Sequence, residues 1–302
     1  MRRFILALQC LALTVLALGL GAAPARTRAL SKAPTSKEGY MKMQAKTTGQ
    51  GTPLVLVPGG LTGWLGWDAH AARLSSKRKV IQVQLLNVEY GLDGRSLPAG
   101  YSVKAESGAL AATIGDLGLK DPLDFVAWSF GAEVTLDFAL DHPRQVRSLV
   151  LIEPPAFWVL RAKGPLDAET ARVASMLQLL REDITEDQLA QFLQTVGFLQ
   201  PGQNARVLPQ WPLWVRHRRS LRNSPAVVSH ADDAARLRAF QPPVLLVKGT
   251  GSAGFLHQII SALAYFLPHA ELVEMPSGHA PQIVSMDRFL AKLESFQALA
   301  AR

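Results

Sequence analysis

The stretch Val126-Ala127-Trp128-Ser129-Phe130-Gly131 decides the fold. An apolar run, Leu123 to Trp128, precedes the serine, and an amphipathic run begins at Gly131. That pattern predicts a strand, a sharp turn and a helix, with Ser129 at the apex. A serine hydroxyl is a poor nucleophile until geometry exposes it and a base takes its proton. A tight turn supplies the exposure, and a helix N-terminus behind it points free amides at developing negative charge. Small residues at 127 and 131 leave room for such a turn. Position 127 is Ala, so the motif is A-x-S-x-G rather than G-x-S-x-G. Taken alone, it also describes an ordinary strand-to-helix connection.

The flanking sequence gives the turn its context. Tyr40 to Lys46 alternates as an edge strand would, and Pro53 to Val57 is a fully apolar strand ending in Pro58-Gly59-Gly60. Val80 to Leu86 reads as a strand and Val103 to Leu117 as a helix, with apolar residues at 103, 110, 114 and 117. After Ser129 come a helix over 132–141 and a strand over Val146 to Ile152. Apolar strands alternating with helices predict an α/β fold, its mostly parallel sheet buried on both faces by helices.

The alternation stops at Glu153-Pro154-Pro155. Residues 156–240 read as a helical cap. Val173, Met176, Leu177 and Leu180 fall at helical spacing, as do Leu189, Phe192, Leu193 and Val196. Thr185 and Gln188 have the spacing of a capping box ahead of the second group. Strands resume at Val244 to Val247 and Glu271 to Met275, and a last helix spans 287–298. The core is thus expected over 38–155 and 241–302, with the cap inserted between as a lid.

In open α/β sheets, ligands bind at the carboxyl ends of the strands. Four motifs fall at such ends: Pro58-Gly59-Gly60, Ser129, Glu153 and Ser277-Gly278-His279. Acyl transfer needs a nucleophile, a base, an acid that orients the base, and amides for an oxyanion. His279 is the expected base, because a neutral imidazole takes a serine proton near pH 7 and returns it to the leaving group. His142 reads as a cation at a helix C-terminus; His70, His217, His230, His257 and His269 read as surface or helix residues. Trp64, Trp128 and Trp158 are expected to line the substrate pocket; Trp67, Trp211 and Trp214 suit either a pocket wall or the core. Arg216-His217-Arg218-Arg219, with Arg222, reads as a solvated helix face, or else as a contact for an anionic surface or substrate.

With these pieces assembled, the chain resembles the α/β-hydrolase superfamily in its capped form, from about residue 50 to the end. The resemblance rests on Leu54-Val55-Leu56-Val57-Pro58-Gly59-Gly60, Gly94-Arg95-Ser96, Ala127-Trp128-Ser129-Phe130-Gly131, His142-Pro143 with Val146, Leu149-Val150-Leu151-Ile152-Glu153-Pro154 and Gly278-His279. It implies that Ser129 is the nucleophile, His279 the base, and the amides of Gly60 and Phe130 the oxyanion hole. Three positions depart from the family pattern. Ala127 replaces the first glycine of the elbow. Pro58 stands where histidine is frequent. No Asp or Glu occurs from 241 to 270, where the family usually places its acid. Some branches place the acid after the strand that follows the nucleophile, and Glu153 occupies that place.

The resemblance implies a serine hydrolase acting on a carboxylic ester or related acyl bond, with a small-molecule acyl substrate. That chemistry calls for no cofactor and no metal. The same fold also serves non-catalytic binding proteins and cofactor-free haloperoxidase-like enzymes. A serine nucleophile sets the chain apart from dehalogenase and epoxide-hydrolase branches, which use aspartate.

Composition sets the remaining bounds. With 302 residues, 48% of them hydrophobic, the chain can bury a large core. Met1-Arg2-Arg3, the apolar run Phe4 to Leu20 and Ala23-Pro24-Ala25 make residues 1–25 a secretory signal peptide, with 26–37 as a linker. A periplasmic or secreted protein is expected. An uncleaved segment would instead anchor it and bring it into contact with a membrane surface. The single cysteine, Cys10, lies in that segment, so the mature chain has no thiol chemistry. The net charge of +8 includes Arg2 and Arg3; removal of 1–25, which holds no acid, leaves +6. No basic stripe interleaved with aromatics marks a nucleic-acid partner.

Overall fold

The computed structural model describes residues 41–119, 122–181, 183–199 and 202–300. The expected signal peptide and linker lie outside these residues. Seven strands form one sheet: β1 (Gln44–Thr48), β2 (Pro53–Val57), β3 (Lys79–Gln84), β4 (Leu123–Trp128), β5 (Val146–Ile152), β6 (Val244–Gly249) and β7 (Glu271–Met275). Their spatial order is β1-β3-β2-β4-β5-β6-β7. β1 pairs antiparallel to β3, with Gln44 opposite Gln84, and the other neighbouring pairs are parallel. The first strand starts later than its alternation suggests. The third ends at Gln84, because Leu86 already opens a helix.

Helices cover both faces of the sheet. In the first half of the core these are α1 (Asp68–Leu74), α2 (Leu86–Leu92), α3 (Val103–Asp116) and α4 (Phe130–Asp141). Successive strand side chains point to opposite faces. Val55 and Val57 of β2 join one apolar cluster with Leu110 of α3 and Phe138 of α4. Leu56 and Leu54 join the other, with Trp67, Ala71 of α1, and Phe289 and Leu293 near the C-terminus. Burial on both sides explains why β2 reads as an unbroken apolar run, and why β4 and β5 are apolar beyond Asp124, Arg147 and Ser148, which bond to one another near the strand starts.

Between β5 and β6 the chain is helical: α5 (Phe157–Arg161), α6 (Ala168–Gln178), α7 (Glu186–Thr195), α8 (Trp211–His217), α9 (Ser224–Ser229) and α10 (Ala234–Ala239). Thr185 and Gln188 form the reciprocal capping box that their spacing implies. Leu177 of α6, Leu189 and Leu193 of α7 and Val227 of α9 bury their side chains in the same apolar cluster as the sheet face. The chain closes with α11 (Gly254–Phe266), α12 (Pro281–Val284) and α13 (Met286–Ala300). None of the elements expected from the sequence covers α11. Its Phe255, Leu256, Ile259, Ile260 and Leu263 nevertheless fall at helical spacing and are buried.

Candidate active site

Ser129 sits where β4 turns into α4, with φ 53° and ψ −126°. Gly131 makes the turn feasible: a Cβ there would lie 2.1 Å from the Pro58 carbonyl oxygen. Ala127, by contrast, has room, and its methyl group is buried in the apolar cluster. The serine amide donates to the Ile152 carbonyl at 2.8 Å, which ties the turn to the end of β5. Glu153 follows Ile152 with its own positive φ of 46°.

The three residues singled out at strand ends converge. The Ser129 hydroxyl lies 2.9 Å from His279 Nε2. With Nδ1 protonated, the other side of the ring donates to Glu153 Oε2 at 2.7 Å. The second carboxylate oxygen, Oε1, accepts from the Gly249 amide at 2.7 Å. Gly249 ends β6, so the β5 carboxylate reaches the strand end where the family usually carries its acid. Glu153 is fully buried and His279 nearly so.

His279 is held from two sides. Its amide donates to the Gly197 carbonyl at 3.0 Å, and its carbonyl accepts from Trp128 Nε1 at 2.8 Å. The Phe198 ring meets the imidazole edge-on at 5.2 Å. Gly278 must be glycine, since a Cβ would lie 2.1 Å from that same Gly197 carbonyl. The segment after α7 thus clamps the His279 imidazole. Gly197, Phe198 and Gly249 were missed in the sequence, where helical spacing ends at Val196 and gives no sign of a contact with residue 279.

Gly60 and Phe130 line one pocket together with Ser129 and His279. Phe130 is the first residue of α4, so its amide is among those an α-helix leaves without an intrahelical acceptor. The turn that carries Gly60 is pinned by Asn87 of α2, whose Nδ2 donates to the Gly60 carbonyl at 2.8 Å. Asn87 is in turn fixed by Glu106, which accepts from the amides of Leu86 and Asn87 and from the Tyr101 hydroxyl. Burial pushes the Glu106 carboxyl up to about 7. Among the described residues no group of three or more His, Cys, Asp or Glu could hold a metal ion.

The pocket measures about 510 Å³. Of the expected tryptophans, Trp128 lines it, and so does Trp214. Trp64 does not: the Lys46 ammonium sits 4.9 Å from its ring, and it is the next residues of that turn, Leu65 and Gly66, that face the pocket. Trp158 does not either, since it is buried on α5 and meets His230 edge-on at 6.2 Å. Trp67 is a core residue, in contact with His70 and Phe289.

Three histidines read as surface or helix residues are buried. His70 lies within α1 and its Nε2 is 2.9 Å from the Gln282 carbonyl; burial lowers its pKa. His217 ends α8, and burial, then the Arg216 charge, lowers its pKa. His230 lies 3.3 Å from Asp137. The basic cluster is not a solvated face throughout. Arg222 is buried and donates to the carbonyls of Arg219 and Arg95, while Arg218 donates to those of Ile184 and Val215.

Comparison with known proteins agrees with this architecture. A pimeloyl-(acyl-carrier protein) methyl ester esterase of Nitrosomonas europaea is 28% identical over 268 residues, covering 82% of this chain and 96% of its own. A 2-hydroxymuconate semialdehyde hydrolase of a Pseudomonas species is 26% identical, covering 83% and 88%. Among solved structures, a thermophilic esterase from Thermogutta terrifontis superposes with a TM-score of 0.66 at 18% identity, covering 88% of this chain and 96% of that one. The family model described as the alpha/beta hydrolase family matches residues 54–292, and the chain belongs to that family.

Proposed function

We propose that this chain is a serine hydrolase that cleaves a carboxylic ester or related acyl bond through an acyl-enzyme on Ser129. One observation carries the reading: Ser129 Oγ lies 2.9 Å from His279 Nε2, while Nδ1 lies 2.7 Å from the buried Glu153 carboxylate. His279 takes the hydroxyl proton as Oγ attacks the acyl carbon, and the imidazolium that forms is stabilised by Glu153. The amides of Phe130 and Gly60 donate to the oxyanion. His279 then protonates the leaving alcohol, and water attacks the acyl-enzyme by the same route in reverse. The hydrolase and esterase activities named for the relatives support this reading.

Ser129→Ala tests it. Hydrolysis of an activated ester should fall by roughly a thousandfold or more with the circular dichroism unchanged. A folded variant with parental activity would remove Ser129 from the nucleophile role.

The proposal extends to export. The basic start, the apolar run and Ala23-Pro24-Ala25 support a cleaved signal peptide and a periplasmic or secreted enzyme. Intact mass of the exported protein should begin after Ala25; a mass that retains Met1 would indicate an anchored form instead.

A further inference from the structure

The lining of the pocket divides by exposure. Leu65, Leu213 and Val284 are 38% to 59% exposed and form its mouth. Leu177, Val227, Phe255 and Leu256 line it while keeping 5% exposure or less, as do Trp128, Phe130, Leu221 and His279, and together they form its buried part. Among the described residues that line it, none is Asp, Glu, Lys or Arg. The polar groups are those of the reaction centre and a few uncharged side chains such as Thr62, Asn223 and Ser224.

The basic cluster of the cap does not supply a cation. None of Arg216, Arg218, Arg219 and Arg222 lines the pocket. Arg218 and Arg222 donate to main-chain carbonyls instead. A carboxylate carried in among Leu177, Val227, Phe255 and Leu256 would be desolvated among carbon atoms with no Lys or Arg in the lining to pair with it. That is far costlier than burying a methyl group. At about 30 Å³ for a water-sized group, 510 Å³ holds roughly seventeen non-hydrogen atoms. Two ester oxygens and the carbon of a methyl alcohol leave room within that number for up to about fourteen acyl carbons.

Building on the serine-hydrolase reading, we propose that the pocket selects esters of uncharged apolar acyl groups of up to about fourteen carbons, and rejects acyl groups that end in a carboxylate. The acyl chain lies against Leu177, Val227, Phe255 and Leu256, with its carbonyl at Ser129 and its alcohol toward the mouth.

Two measurements test this. The first is kcat/KM for methyl acetate, methyl octanoate, methyl palmitate and monomethyl suberate. Methyl octanoate should exceed both the acetate and the palmitate by about tenfold or more, and exceed monomethyl suberate, its ω-carboxylate counterpart, by about a hundredfold or more. The second is calorimetric binding of methyl octanoate and monomethyl suberate to folded Ser129→Ala, which needs no turnover. Methyl octanoate should bind and monomethyl suberate should not. Equal or better use or binding of monomethyl suberate would overturn the proposal, as would a preference for acetate. If no ester is turned over by the parent, the hydrolase reading fails, and the binding comparison still decides what the pocket selects.

Discussion

Ser129 and Glu153 share an uncommon backbone state: among the described residues they are the two non-glycine positions with positive φ, at 53° and 46°. They follow adjacent parallel strands, and the amide of one bonds the carbonyl that precedes the other. Such conformations cost about 1–3 kcal/mol each and cluster at active sites, where the surrounding structure enforces them. Here both strained residues project their side chains at one imidazole, from opposite sides.

Glu153→Gln keeps the shape of the side chain and removes its charge. The amide can still accept from Gly249 but no longer stabilises an imidazolium. Turnover at saturating ester should fall roughly a hundredfold to ten-thousandfold. Circular dichroism and turnover measured together check this; a folded variant above about half the parental rate would leave His279 and Ser129 to act as a dyad.

Gly249→Ala should disturb the same acid from the other side. A Cβ there would lie 2.2 Å from the Gly278 carbonyl and 2.6 Å from Ser277 Oγ. The turn that carries His279 must move. Overpacking of this kind costs about 1–3 kcal/mol in stability, and turnover should drop about tenfold or more because the imidazole leaves its aligned position. A thermal melt and a kcat measurement on the same sample separate the two losses.

Glu106 gives a pH dependence with a definite sign. Its carboxyl is raised to about 7 in the folded chain, above the unfolded value of 4.5. Between those values the unfolded chain has released the proton and the folded chain still holds it. Stability from this group is therefore present below pH 4.5 and lost as the pH rises toward 7. The shift corresponds to about 3 kcal/mol. Denaturant titrations of the parent and Glu106→Gln at pH 5 and pH 8 should show the difference moving in favour of the Gln variant as the pH rises. A difference independent of pH would mean that Glu106 is ionised throughout.

The sequence shows most of the frame and the strand ends that carry polar chemistry. β2, β5 and β7 have the expected bounds because their ends coincide with Gly, Pro or Glu punctuation. α11 has clear apolar spacing in Phe255, Ile259 and Leu263, but its N-cap is Ala253, with no capping side chain to mark its beginning. The pocket was harder to read for a physical reason: whether a tryptophan faces a cavity depends on the rotation of its element, not on its type. Trp64 and Leu65 are neighbours in one turn, and only Leu65 faces the pocket. His217 and Arg222 follow the same rule, since they sit in a basic run whose burial is set by how the 3-10 turn over 218–223 docks onto α2.

The most direct measurement of the central claim is covalent labelling with a fluorophosphonate, read by mass spectrometry on the parent and on Ser129→Ala. Such probes report an activated serine, because the phosphorus accepts only a hydroxyl whose proton is being removed. The predicted result is one phosphonyl group on the peptide that contains Ser129 in the parent, and none on Ser129→Ala. A folded parent that takes up no phosphonyl group, or a Ser129→Ala variant labelled as fully as the parent, would contradict it.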